Sequence, residues 1–333
     1  MKKIRIFMVG GRRCGKTTVL TSLWHNADAT LAGTNLSLGA DNVLVSRLQD
    51  TYDLSESYFD DPDMEDFVRV SDDNASQEPA NYPFTLTLAG KRTGIQAEFT
   101  DIPGEWFTCP DHYKEVKDYI RESHVIIFAI DTPCLMEDMD ERGFGKRHIS
   151  SNKANHITHF IKEQLTTDEI AERMILFVPI KCEKYYYQHM MPQVVDAVHS
   201  GYRELLEYIA EPALRSRCTA AILPILSLGG LKFFGFEGQS PSPTASQEYI
   251  YHANCGKEAK YLPRYCDQPL LYAIAYILKT SNGYRDGFLW KLRSLLFNDA
   301  DGKELRAALQ PLAEKINRRD EDGFVLLQNA IGL

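Results

Sequence analysis

Gly10, four residues, then Gly15, Lys16 and Thr17 make up the run "GGRRCGKT", placed directly behind the apolar stretch "IRIFMV". The spacing suits the holding of phosphate. Small residues let backbone N–H groups turn inward around an anion, and a helix opening at Lys16 adds the positive end of its dipole. Lys16 supplies a mobile charge for β- and γ-phosphates, and the Thr17 hydroxyl suits Mg²⁺. Gly11, Arg12, Arg13, Cys14 and Thr18 complete the cradle, with Cys14 read as packing. Two arginines in the middle of such a loop are more cation than phosphate binding alone requires.

A second stretch, "FTDIPGEW" from Phe99 to Trp106, has an aspartate at the end of an apolar run and a glycine three residues later. Asp101 at a strand end can hold a metal-bound water, and the Gly104 N–H can meet a γ-phosphate. When that phosphate leaves, the loop loses its anchor, which is the basis of a switch.

Elements able to position these groups are legible as apolar runs of strand length: Ile4–Val9, Phe84–Leu88, Ile95–Thr100, Val125–Ile130, Met174–Pro179 and Ala220–Leu226. Helical patterns lie between them at Lys16–Asn26, Asp111–Glu122, Asn152–Leu165 and Gln193–Ala210. Alternation of the two predicts a mostly parallel sheet covered on both faces. The link "AGKRTG" between the second and third runs is hairpin-length, so that pair should be antiparallel. The fold class expected is α/β, a phosphate-loop fold whose mixed six-stranded sheet has one antiparallel strand and flanking helices, plus a helical C-terminal extension. Residues 1–280 form the nucleotide domain, with insertions at about 27–83 and 229–263. Residues 281–333 form the extension, packed on that domain or appended to it. The first insertion is acidic around "SESYFDDPDMEDF"; "FEGQSPSPTASQEY" in the second reads as a mobile surface loop.

Bulk properties narrow the function classes. The 333 residues are 44% hydrophobic with net charge −9, which argues against nucleic acid or anionic membrane as the main partner. The seven cysteines lack CxxC pairs and suggest reduced thiols in the cytoplasm. His252, Cys255 and Cys266 lack zinc-ligand spacing. "MKKIRIFMVGG" leads into the phosphate loop and reads as a first strand rather than a signal peptide. No stretch approaches the roughly 20 apolar residues of a membrane span. A soluble cytoplasmic protein is expected.

On "GGRRCGKT" and "FTDIPGEW", the chain resembles the Ras-like G domains of the translation-factor-related GTPase class, over Lys2 to Leu228 with the two insertions outside it. The long insertions and helical tail look like a divergent bacterial branch. The resemblance implies GTP and GDP as ligands, Mg²⁺ held through Thr17 and Asp101, GTP hydrolysis, and a conformational change read by a protein effector or by self-association. In that class an Asn/Thr-Lys-x-Asp motif after the fifth strand reads guanine. Here "IKCE" places Lys181 and Glu183 at the lysine and carboxylate positions, with Ile180 in place of the Asn or Thr. Ser227 and Leu228 fall where the family sets a short loop against the base. Guanylate-binding proteins and atlastins carry a loop arginine at the position of Arg13, so Arg13 is the candidate internal arginine finger; solvation or pairing with acids is the competing role for both arginines. Glu105 stands at the water-orienting position and is equally suited to opening a helix. Lys16, Arg13 and Glu105 are thus the catalytic candidates. Thr30, Thr34 and Thr51 are all candidates for the first-switch threonine. Two alternatives stay open: a module that binds nucleotide with little hydrolysis, and an ATPase.

Overall fold

In β1 (Lys3–Val9) the side chains divide between two cores. Ile4, Ile6 and Met8 enter one, and Phe7 and Val9 enter the other. A strand buried on both faces needs layers above and below it, and the rest of the chain supplies them. The computed structural model describes residues 3–12, 14–57, 59, 67–70, 78–88, 94–165, 172–237, 248–253, 260–283 and 310–332. The further strands are β2 (Leu36–Gly39), β3 (Phe67–Val70), β4 (Ala80–Leu88), β5 (Gly94–Asp101) and β6 (Val125–Asp131). They are followed by β7 (Arg173–Ile180), β8 (Cys218–Ile222), β9 (Leu231–Glu237), β10 (Glu248–Ala253) and β11 (Val325–Asn329).

The main sheet runs β11-β8-β7-β6-β1-β5-β4-β2. Its centre, β8 through β5, is parallel. β4 is antiparallel to β5, as the short link between them requires. Pro83 lies beyond the part of β4 that β2 covers, where a missing N–H costs no ladder bond to that neighbour. Helices Lys16–His25, Asn42–Ser57 and Gln268–Gly283 contribute to the core on one side. Helices Tyr113–Glu122, Ala154–Gln164 and Met191–Gly201 contribute to the other.

The sheet has eight strands, where six were expected, and β11 is a second strand running against a parallel neighbour. Both added strands are edges. β2 buries only Leu36 and Leu38, too few apolar positions to stand out inside a polar segment. β11 comes from the tail expected to be helical. Residues 310–315 are helical, but Gly323, at φ 83°, and the buried Phe324 turn the chain back so that Val325–Asn329 joins β8. "VLL" fits either kind of element, and the turn before it decides. Residues 284–309 lie outside the described residues.

Both insertions contain ordered elements. The first holds β2, β3 and the helix Asn42–Ser57, and the second holds β9 and β10. β3, β10 and β9 pair antiparallel in a separate sheet. Of the surface loop expected at 236–249, the described ends belong to β9 and β10, and 238–247 lies outside the described residues.

Candidate functional site

Because β1 and β5 are parallel neighbours, their carboxyl ends open at the same sheet edge, and the loop after Val9 meets Asp101 there. A cavity of about 430 Å³ lies at this edge. Gly15 has φ 102°, a left-handed conformation that favours glycine, and a Cβ there would stand 3.0 Å from Ile180 Cδ1. Helix Lys16–His25 follows directly. Lys16 folds back so that Nζ donates to the Gly10 and Gly11 carbonyls at 3.4 and 3.1 Å.

Across the cavity Thr17 Oγ1 donates to Asp101 Oδ2 at 3.3 Å, and Lys16 Nζ stands 3.6 Å from Asp101 Oδ1. Thr17 and Asp101 are 84 positions apart in the chain. Burial raises Asp101 above the ordinary carboxylate range, against the opposing pull of Lys16 and Thr17. Burial works to lower Lys16, but Asp101 and its neighbours carry it above its ordinary value. Asp101 Oδ1 is buried and accepts no hydrogen bond among the described residues. A hydroxyl and an under-satisfied carboxylate are hard oxygen donors of the kind Mg²⁺ takes alongside phosphate and water. The donor set fits the metal.

Gly104 packs so tightly on the backbone of Gly11 and Arg12 that a Cβ would overlap it. Gly11 is confined in the same way by the Ser151 carbonyl. The loop after β5 therefore touches the cradle directly. Beside this contact Arg12 pairs with Glu105 at 2.9 Å, both side chains about half exposed. Glu105 is on the cavity wall, in a one-turn helix Gly104–Phe107. Arg13 lies outside the described residues. Cys14 is buried against Gly10, and burial raises its thiol pKa.

At the other end Lys181 sits in the left-handed region at φ 60°, held by its N–H to Ser227 Oγ at 3.2 Å. Its ammonium bonds Asp131 Oδ2 at 2.7 Å and lies 4.1 Å from the Tyr249 ring centroid. Tyr249 also donates to Asp131 Oδ2 at 3.0 Å. Lys181, Ser227 and Leu228 line the cavity, but Glu183 does not. Glu183 is fully buried, with Oε1 accepting from the Leu228 and Gly229 N–H groups. Burial pushes it up to about 8 in spite of those bonds. The structure thus puts Glu183 behind the 227–229 loop, away from the wall on which the guanine-reading motif would place a carboxylate.

Arg12, Gly15, Lys16, Thr17, Thr18, Asp101, Gly104 and Glu105 all line the same cavity as Lys181. Thr51 lines it as well, whereas Thr30 and Thr34 are buried elsewhere. Sequence reasoning missed Arg47, Leu54 and Ser55, which with Thr51 form one face of helix Asn42–Ser57. The adjacent stripe, Leu44, Leu48 and Tyr52, is buried. That helical period was readable, but nothing local said what the polar stripe faces. Tyr249, Tyr251 and Tyr261 from the second insertion complete the wall. The alternation in "YIYHA" was the available signal for the first two.

No protein-family model matches this chain, and no curated protein does. Among solved structures, two similar ones are of the Ski7 GTPase-like domain of S. cerevisiae. The first, bound to GDP and inorganic phosphate, is 12% identical with a TM-score of 0.35, and the match covers 69% of this chain and 44% of that one. The second, bound to GTP, is 11% identical with a TM-score of 0.33, covering 72% and 46%. The matched part is under half the length of either of those chains. Among the described residues no helix is long and apolar enough to cross a membrane.

Proposed function

We propose that this chain is a phosphate-loop GTPase of the Ras-like kind: it binds GTP with Mg²⁺, hydrolyses it to GDP and phosphate, and changes conformation as it does so. The single observation behind this reading is the meeting of Lys16 and Thr17 with Asp101 in one cavity, leaving a buried carboxylate oxygen without a donor. Thr17 and Asp101 would hold Mg²⁺, which when bound neutralises charge on the phosphates. The cradle N–H groups and Lys16 orient the triphosphate. A water oxygen forms a bond to the γ-phosphorus, and the bond to the β–γ bridging oxygen breaks with its electron pair left on GDP. The proton leaves with phosphate or solvent. Glu105 would orient the water, with Arg12 offsetting its charge.

The switch follows from the contact of Gly104 with Gly11 and Arg12. A γ-phosphate arriving beside the cradle competes with that contact, so occupancy biases the loop after β5 between two positions. A protein effector, or a second copy of the chain, would read the difference in the cytoplasm. Lys181 and the Ser227–Leu228 loop face the base, with Glu183 holding the loop.

A second reading, ATP as the substrate, is supported by the burial of Glu183 away from the cavity wall. Binding without turnover is the third outcome. Phosphate release with GTP and with ATP, beside competition of Mg²⁺-nucleotide binding by GTP, GDP, ATP and ADP, separates all three. Tight triphosphate binding with release from GTP is the expected result; no binding of any nucleotide overturns the proposal.

A further inference from the structure

Among the described residues four cations line the cavity: Arg12, Lys16, Arg47 and Lys181. Three are engaged. Arg12 pairs with Glu105, Lys16 with the cradle carbonyls and Asp101, and Lys181 with Asp131. Arg47 is different. Among the described residues it has no carboxylate within ion-pair distance, and its guanidinium rests 4.9 Å from the centroid of the Tyr82 ring. Tyr82 is fully buried on β4, opposite Phe99 and so one strand away from Asp101. Its phenol lies in the fields of Arg47, Asp101 and Lys16 together, and its buried hydroxyl is near Thr17 without a hydrogen bond of good geometry among the described residues. Asp101 in turn feels the charge of Arg47. Tyr82 is two residues along β4 from Ala80, the register partner of Asp101, so the guanidinium over its ring stands on the Asp101 side of the cavity.

The helix that carries it is anchored. Leu44, Leu48 and Tyr52 fasten one face to the core, Tyr52 stacking on His25 at 3.7 Å between centroids. The flank beside it presents Arg47 and Thr51 to the cavity, four residues apart and so on one side of the helix. A cation held over an aromatic face keeps its N–H edge free for an anion.

We infer that Arg47 is a catalytic residue, donating from the first insertion to the γ-phosphate oxygens of a bound nucleoside triphosphate as the bond to the bridging oxygen breaks. This rests on the hydrolase reading above, and it assigns the transition-state cation to a residue outside the phosphate loop. The planar guanidinium can bond two oxygens at once, which an ammonium cannot match.

The test compares wild type, Arg47→Ala and Arg47→Lys for single-turnover release of phosphate from GTP and ATP. It also measures GDP affinity, and GDP affinity in the presence of aluminium fluoride as a probe of the transferring phosphoryl group. Arg47→Ala should slow turnover by at least about 10²-fold and abolish the tightening by aluminium fluoride, with GDP affinity within about 2-fold of wild type. Arg47→Lys keeps a charge over Tyr82, protecting the fold, and should recover less than about a tenth of the lost rate. Thermal unfolding of each variant reports its folded state. Turnover within about 3-fold of wild type in both variants overturns the role of Arg47 alone. An equal loss of GDP affinity overturns it too, since the contact would then serve ground-state binding. Wild-type protein that binds triphosphate without cleaving it overturns the hydrolase reading and this role together.

Discussion

At the phosphate end of the cavity, Gly15, Lys16 and Thr17 are chain neighbours whose geometry is set by one strand, one tight turn and one helix. At the other end, Lys181 reaches Asp131, Ser227 and Tyr249 across separations of 46 to 68 residues, and no two of the four lie in the same element. The first arrangement is local in its backbone, although Asp101 and Gly104 reach it from the loop after β5. The second exists only when β6, β7, the loop after β8 and β10 are all in place. The difference predicts that damage at the phosphate end shows in nucleotide affinity and turnover, whereas damage at the far end shows in stability as well.

The largest effect should come from Lys16→Ala. Hydrogen bonds to a charged donor are worth about 1.5–3 kcal/mol, so triphosphate affinity should fall about 10²-fold, read by titration with a fluorescent GTP analogue. The melting temperature should change little, because the desolvation that burial imposes on the Lys16 ammonium is relieved as its two carbonyl bonds and 3.6 Å pairing are lost. A loss of affinity under about 3-fold would erase the contrast between the two ends.

Asp101→Asn comes next. It should remove the Mg²⁺ dependence of binding and turnover while leaving thermal stability unchanged or higher, because the buried charge opposed by burial is gone. A falling melting temperature, measured without metal, would show that Asp101 is part of the scaffold.

Glu183→Ala strikes the far end. It leaves two N–H groups of the 227–229 loop without their acceptor, a cost of about 1–3 kcal/mol in unfolding experiments. GTP and ATP binding should weaken together; selective loss of GTP would make Glu183 a direct reader of the base. The pH dependence has a definite sign. Glu183 sits at about 8 in the fold, above its ordinary value of 4.5, so the native state binds more protons between those limits. The stabilisation is complete below about 4.5 and declines as pH rises toward 8. Glu183→Gln should flatten that decline in thermal melts, and an unchanged slope would remove Glu183 as its source.

Tyr249→Phe should cost about 1 kcal/mol, the usual worth of one hydrogen bond, by freeing one donor from Asp131. Arg12→Ala should be the mildest for stability, under about 1 kcal/mol, since its pair with Glu105 is half exposed. Turnover by that variant separates an ion pair that only tethers Glu105 from one that tunes it.

The six central strands were legible because each is a short apolar run bounded by turn residues, and the hairpin of β4 with β5 because its link is too short for a crossover. The edge strands were not, since β2 shows two buried leucines and β11 depends on a turn at Gly323. In the site, "GGRRCGKT" and "FTDIPGEW" were readable from spacing. Arg47 was hidden in a polar helical stripe, and Tyr249 at the end of a stretch whose Ser, Pro and Gly content suggested a loop.

Composition and order along the chain determined that a phosphate-sized cradle follows the first strand and that an acid ends the partner of a hairpin, because such features depend on residues a few positions apart. Tertiary structure alone decided that Arg47 overlooks Asp101, that tyrosines of the second insertion wall the cavity, and that Glu183 lies behind its loop. Each of those depends on which surfaces pack together once distant segments bury their apolar faces, and a backbone period specifies that a face exists without specifying its neighbour.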